Sequence, residues 1–329
     1  MKLLFATLAT LMAPCAAAAQ EVGADLEHFD YGAPVHWFDA QAQGQAVRMA
    51  WLDFAAEGVP QRETLVLLHG KNFCAVTWVE TARALAAAGY RVIVPDQVGF
   101  CKSSKPAGFQ YSFAQLASLT RQLLHDAGVE RPVLVGHSTG GMLALHYALL
   151  WPGGTERLVL VNPLGLSDPI AEGVPYAPLG ALLAEEARTD AQSIRAYQQR
   201  VYYGGEWRAQ YQRWVDMLAG QYASEDGQTV RDAQARLSDM IETQPTAHRL
   251  GQIAVPVTLV IGQHDRTAFR GNTAPQGATV STVPQAAEVA AGRLPNAQLV
   301  RMEGLGHSPM VQDPAEFQRV LLEVLAGEP

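Results

Sequence analysis

The sequence predicts an α/β protein: a mostly parallel, doubly wound sheet with an inserted helical lid. Three observations carry that reading. Through residues 64–162, short apolar β-branched runs alternate with longer stretches of helix formers, the rhythm of a parallel sheet covered on both faces. From about 163 to 250 the strand candidates stop, and helical patterns rich in aromatics replace them. The rhythm then resumes at Pro256–Ile261. A chain of 329 residues accommodates one large core with such an insertion.

The elements follow in order. The first nineteen residues read as a signal peptide: Lys2 gives the positive start, Leu3 to Ala13 an apolar run too short to span a bilayer, and Ala17-Ala18-Ala19 a small-residue cleavage site. A lipidated Cys15 is disfavoured by Pro14 directly before it. This places the protein in the periplasm or outside the cell. No later run is long enough for a membrane helix, so no stable insertion is expected after signal removal. The first part of the core spans residues 20–162, the lid 163–250 and the second part of the core 251–329. Val35–Phe38 and Ala46–Phe54 form a hairpin around Gly44. Thr64–Leu68 is a buried strand ending in His69-Gly70, and Trp78–Ala88 a helix closed by Gly89. Arg91–Pro95 is the next strand. Ser112 then caps a helix whose apolar residues Phe113, Leu116, Ala117, Thr120 and Leu124 share one face. A strand over 132–135, a helix over 142–150 and a strand over 158–161 complete the first part.

The lid carries Tyr197, Tyr202, Tyr203, Trp207, Tyr211, Trp214 and Tyr222. Some of these rings form lid core, and two or three line a ligand pocket. Beyond the lid, Thr267–Pro284 reads as a long loop, Gln298–Met302 as a strand and Pro314–Leu325 as the C-terminal helix.

Between the strand at 132–135 and the helix at 142–150 stands Gly136-His137-Ser138-Thr139-Gly140. This G-x-S-x-G in a strand–turn–helix context is a nucleophile elbow. The turn is too tight for a side chain at 136 or 140. It lifts the Ser138 hydroxyl clear of the sheet and leaves the next N–H at a helix N-terminus, where it stabilises an anion. A serine needs a base and an orienting acid, which in an elbow fold follow in the order acid, then histidine. Asp265 and His307 stand in that order, each just after a strand. Imidazole takes the hydroxyl proton and returns it to the leaving group; the carboxylate fixes the tautomer. His264 points elsewhere, His137 cannot fold back onto Ser138, and Asp96 and Asp168 suit turn and cap roles. The oxyanion donors are the Thr139 N–H and an N–H after His69-Gly70: Lys71 first, with Asn72 as the alternative. The Lys71 ammonium is expected in solvent at the loop rim.

A formal charge of −8 argues against a nucleic-acid surface. The histidines lack i, i+4 ligand spacing, the cysteines lack short spacing, and no glycine-rich dinucleotide loop opens a strand–helix unit. No cofactor or metal is called for.

These residues together resemble the α/β-hydrolase superfamily, in its lidded, epoxide-hydrolase-like branch. The resemblance covers about residues 45–326 through L-L-H-G at 67–70, P-D-Q-V-G-F at 95–100, G-H-S-T-G at 136–140, G-Q-H-D at 262–265 and G-H-S-P-M at 306–310. It departs at Cys101, where the family often has glycine, and at Ser138, where epoxide- and halide-cleaving members carry Asp. A serine alkyl ether has no carbonyl at which it can be hydrolysed, so those two reactions are disfavoured. The resemblance implies a serine hydrolase acting on a small-molecule apolar ester or lactone through an acyl-enzyme. Perhydrolysis, amide cleavage and carbon–carbon bond hydrolysis use the same residues; a non-catalytic binding protein of the same fold is the reading from another class. Signal removal leaves Cys74 and Cys101. In the fold this chain resembles, the strands before them are neighbours, so a Cys74–Cys101 disulfide is expected; two separate buried thiols are the alternative.

Overall fold

The computed structural model describes residues 22–59 and 63–327; the expected signal peptide falls outside them. The strands are β1 (His36–Ala42), β2 (Gln45–Phe54), β3 (Thr64–Leu68), β4 (Arg91–Pro95), β5 (Val133–His137), β6 (Arg157–Val161), β7 (Val257–Gly262) and β8 (Ala297–Met302). They form one sheet in the order β1-β2-β4-β3-β5-β6-β7-β8. β1 and β2 form the expected hairpin, with Ala42 opposite Gln45. Its two-residue turn, Gln43-Gly44, has positive φ at both positions, 53° and 74°, the geometry whose twist matches paired strands. β2 runs antiparallel to β4, and every later pairing is parallel. Leu65–Leu68, Val133–Val135 and Leu158–Val161 are wholly buried, as continuous apolar strands covered on both faces must be.

Core helices α1 (Val79–Ala87), α2 (Phe113–Asp126) and α3 (Thr139–Leu150) connect the strands. The chain moves from β3 to β4 in one direction along the sheet and from β5 to β6 in the other. Right-handed crossovers therefore place α1 and α3 on opposite faces. The loops leaving β3 and β5 diverge, opening a crevice at the point where ligands bind in such sheets.

The insertion lies between β6 and β7. It contains α4 (Leu179–Ala187), α5 (Ala191–Tyr197), a π-helical turn (Gln198–Tyr202), α6 (Gln212–Ala223) and α7 (Gly227–Thr243). Tyr203 and Tyr211 stack at 3.9 Å between centroids and are buried within it. The long loop after β7 ends earlier than expected, because α8 (Val283–Ala291) begins there. Its start is fixed by Gln285, whose side chain accepts from the Thr282 N–H at 2.9 Å. A short α9 (Pro309–Gln312) and α10 (Pro314–Ala326) close the chain.

Candidate active site

Ser138 sits on the turn between β5 and α3, at the crevice. A Cβ added at Gly136 would lie 2.4 Å from the Gly140 carbonyl oxygen, and one at Gly140 would lie 2.2 Å from that of Leu68. Both glycines are therefore required by the turn. Ser138 itself takes φ 54°, ψ −118°, a strained backbone for a residue with a side chain. Its carbonyl accepts from the N–H groups of Gly141 (2.9 Å) and Leu164 (3.1 Å), holding the turn in place.

Asp265 follows β7 and His307 follows β8. His307 Nδ1 lies 2.7 Å from Asp265 Oδ2, with both side chains almost fully buried. The other carboxylate oxygen accepts from the Thr267 N–H at 2.7 Å. A carboxylate only accepts, so Nδ1 carries a proton, and in the neutral imidazole the lone pair then falls on Nε2. That is the tautomer a general base needs.

The histidine loop is tied to the serine turn through His137. Its Nε2 donates to the His307 carbonyl at 2.7 Å, and the two rings lie 4.9 Å apart. Burial, then the neighbouring His307, holds His137 well below the ordinary imidazole range. Asn162, buried at the end of β6, donates to the carbonyls of Gly306 (2.8 Å) and His307 (2.9 Å) and accepts from the Gly262 N–H (2.8 Å). It thus joins three strand ends. Neither residue shows its role in the sequence, because both act across long chain separations.

The turn after β3 presses against Ser138. A Cβ at Gly70 would lie 3.0 Å from Ser138 Cβ. His69 fixes this turn: its Nε2 accepts from the Gln97 N–H at 3.1 Å, so Nδ1 is the donor to the Gly70 carbonyl at 2.9 Å. Burial pushes the His69 pKa down. Among the described residues, the N–H groups of Lys71 and Thr139 have no protein acceptor. The expectation for the Lys71 ammonium is corrected. It is largely buried and pairs with Glu186 of α4 at 2.8 Å, because the lid folds down onto the loop. Asn72 donates from Nδ2 to the Tyr202 hydroxyl at 2.9 Å.

Tyr202 belongs to the π-helical turn. Its ring stacks on His307 at 4.5 Å, and its carbonyl accepts from the His307 N–H at 2.9 Å. Burial pushes its phenol well up. A cavity of about 450 Å³ opens beside Lys71 and Asn72, lined also by Glu186, Tyr197, Arg200 and Tyr222. Two lid aromatics therefore line it, with charged neighbours. The other candidate acids stand apart. Asp168 accepts from the Ile170 and Ala171 N–H groups and lies 2.7 Å from His248 Nε2. His264 is exposed.

Cys74 and Cys101 are joined as a disulfide, Cα atoms 5.9 Å apart. Cys101 has φ 53°, which accounts for the glycine often found there in the family. Asp96 organises this corner, accepting from the Tyr31 hydroxyl (2.6 Å) and from the N–H groups of Ala75 (2.7 Å) and Lys102 (3.2 Å).

The comparisons agree with this architecture. A crystal structure described as "a probable hydrolytic enzyme" from Pseudomonas aeruginosa PAO1 is 48% identical, covers 93% of this chain and 98% of its own, and superposes with a TM-score of 0.90. The Stutzerimonas stutzeri protein named "Putative carbamate hydrolase RutD" is 30% identical over 82% of this chain and 94% of its own length. Lipase 1 of Psychrobacter immobilis is 26% identical over 79% of this chain and 75% of its own. Residues 63–314 match the family model for the alpha/beta hydrolase fold, and the chain belongs to that family.

Proposed function

We propose that this hydrolase is a serine esterase or lactonase working through an acyl-enzyme. Ser138 attacks the acyl carbon. His307 takes its proton at Nε2 and returns it to the leaving alcohol. Asp265 holds the imidazole and balances its charge, and the N–H groups of Lys71 and Thr139 stabilise the oxyanion. Water then repeats the sequence on the acyl-enzyme. The single observation carrying this reading is the buried 2.7 Å bond between His307 Nδ1 and Asp265 Oδ2, on a loop that His137, the neighbour of Ser138, ties to the serine turn through the His307 carbonyl. The lipase among the relatives supports an ester substrate. A serine nucleophile sets the chain apart from the epoxide- and halide-cleaving members of the branch it resembles.

The substrate is a small to medium acyl compound with an apolar part. Ile194, Leu218 and Tyr197 give the cavity beside Lys71 an apolar part, next to the Lys71–Glu186 pair and Arg200; its lining stops short of Ser138 and His307. The protein acts after export, in the periplasm or outside the cell. A panel of p-nitrophenyl esters of graded acyl length, lactones, carbamates and amides tests the assignment. Fluorophosphonate labelling of Ser138 tests whether the protein is a catalyst at all. Turnover of amides or carbamates well above every ester and lactone overturns the ester reading. A protein that neither labels nor turns over any of them is a binder of the same fold.

A further inference from the structure

Two consecutive residues of the turn behind Ser138 hang from the lid. Lys71 reaches Glu186 in α4, and Asn72 reaches Tyr202 in the π-helical turn. Neither anchor is loose. Glu186 uses both carboxylate oxygens: one takes Lys71 Nζ, and the other takes the Tyr222 hydroxyl from α6 at 2.7 Å. Its backbone carbonyl accepts from Arg231 of α7, which also donates to Thr189 and covers the Tyr222 ring at 4.4 Å. Three lid helices thus hold one carboxylate over a core lysine. Tyr202 is fixed just as firmly: its hydroxyl takes Asn72, its ring lies on His307, and its carbonyl takes the His307 N–H.

Burying a lysine and a glutamate against each other costs desolvation that their attraction only roughly repays. Such a pair is a weak source of stability and a strong source of geometry. The geometry it fixes is that of the Lys71 backbone, whose N–H is the oxyanion donor proposed above.

We infer that Glu186 and Tyr202 are positioning residues through which the seated lid sets the oxyanion turn and the histidine loop together, so that lid docking controls the rate of acyl transfer and not only substrate capture. Glu186 acts through the Lys71 side chain, and Tyr202 through Asn72 and His307. This inference rests on Ser138 being the nucleophile. It goes further in placing part of the oxyanion hole under the control of residues 115 and 130 positions away in sequence. A donor displaced by a fraction of an ångström loses transition-state stabilisation while ground-state binding is spared.

The test uses the full chain, p-nitrophenyl butanoate as substrate and an alkyl trifluoromethyl ketone as inhibitor. The ketone forms an oxyanion when the serine adds to it. Lys71→Met and Glu186→Gln should each lower kcat about tenfold or more with KM changed by less than about threefold. The ketone Ki should rise in proportion to the loss in kcat/KM. The double variant should be no slower than the worse single, because one coupling has been removed twice. Tyr202→Phe keeps the ring on His307 but removes the acceptor of Asn72, and should lower kcat several-fold. Lys71→Met and Tyr202→Phe carry the test if Glu186→Gln fails to fold, as judged by thermal melting. A rise in KM with kcat unchanged assigns the lid to binding alone and overturns the inference; so does an unchanged ketone Ki. Those outcomes are read with Ser138 still labelled by fluorophosphonate, so only the coupling falls. Loss of that labelling in the wild-type protein would instead fell the parent reading, and the inference with it.

Discussion

Asn162 Nδ2 donates to the His307 carbonyl at 2.9 Å from the end of a different strand. Asn162 is wholly buried and has φ 42°, in the left-handed region that Asn tolerates better than most residues. Replacing it with Ala leaves two groups without partners, the Gly306 carbonyl and the Gly262 N–H, and leaves the His307 carbonyl with His137 alone. Each buried unsatisfied group costs about 1–3 kcal/mol. Asn162→Ala should therefore lose roughly 2–5 kcal/mol of stability by denaturant unfolding, and kcat should fall in the fraction that remains folded. A stability within about 0.5 kcal/mol of wild type would show that this joint is not structural.

The proposed chemistry makes a direct prediction. Ser138→Ala should lower ester turnover by several orders of magnitude and leave the melting temperature close to wild type. Asp265→Asn should keep the fold and lose about 10⁴-fold in kcat, because the imidazole is left in the wrong tautomer. Steady-state kinetics on purified variants decide both. Near-wild-type activity in Asp265→Asn would remove Asp265 from its role. Asp96 is engaged with Tyr31 and the Ala75 N–H, and Asp168 with His248 on the lid.

The places of Ser138, Asp265 and His307 at strand ends are legible because each follows a strand that its own sequence declares, and because the elbow glycines have a local steric reason. The partners that hold them are not. Asn162 and His137 look like ordinary residues at strand ends; their bonds run to Gly306 and His307, 144 to 170 positions away. Glu186 reads as one more surface acid on a lid helix until the fold sets Lys71 beneath it. Helix α8 did leave a local signal, Thr282-x-x-Gln285 with Pro284 in the first turn, which the reading of 267–284 as a loop passes over. The strand order, with β4 outside β3, is set by tertiary packing and leaves no mark in any one segment.

Stability should depend on pH through His69 and His137, two of the buried histidines around the site. His69 and His137 have pKa values lowered from 6.5 by burial. A depressed folded pKa contributes stability that is fully present above the unfolded value and is lost as pH falls below it. Between about pH 6.5 and the folded pKa, the unfolded chain binds a proton that the folded chain refuses. Each histidine then removes about 1.4 kcal/mol per pH unit. Melting temperature should be flat from pH 8 to 7 and decline below about 6.5. In a His137→Gln variant the decline should be shallower. An identical slope in that variant would mean His137 is protonated in the folded state.

The Cys74–Cys101 disulfide closes a loop of sequence separation 27. A loop of that length contributes about 3–4 kcal/mol by restricting the unfolded chain. It also bears on the site. Cys74 lies three residues beyond Lys71, and Asp96, between the two bonded loops, takes the Ala75 N–H at 2.7 Å. Reduction, or the double replacement Cys74→Ser/Cys101→Ser, should therefore lower the melting temperature and reduce kcat several-fold at temperatures where the protein remains folded. Thermal melting with and without a thiol reductant measures the first effect, and activity at low temperature isolates the second. A melt unchanged by reductant, with two free thiols found by alkylation and peptide mass spectrometry before treatment, would show that the bond does not form in the native protein. A lowered melt with full activity would confine the disulfide to stability and free the oxyanion turn from its influence.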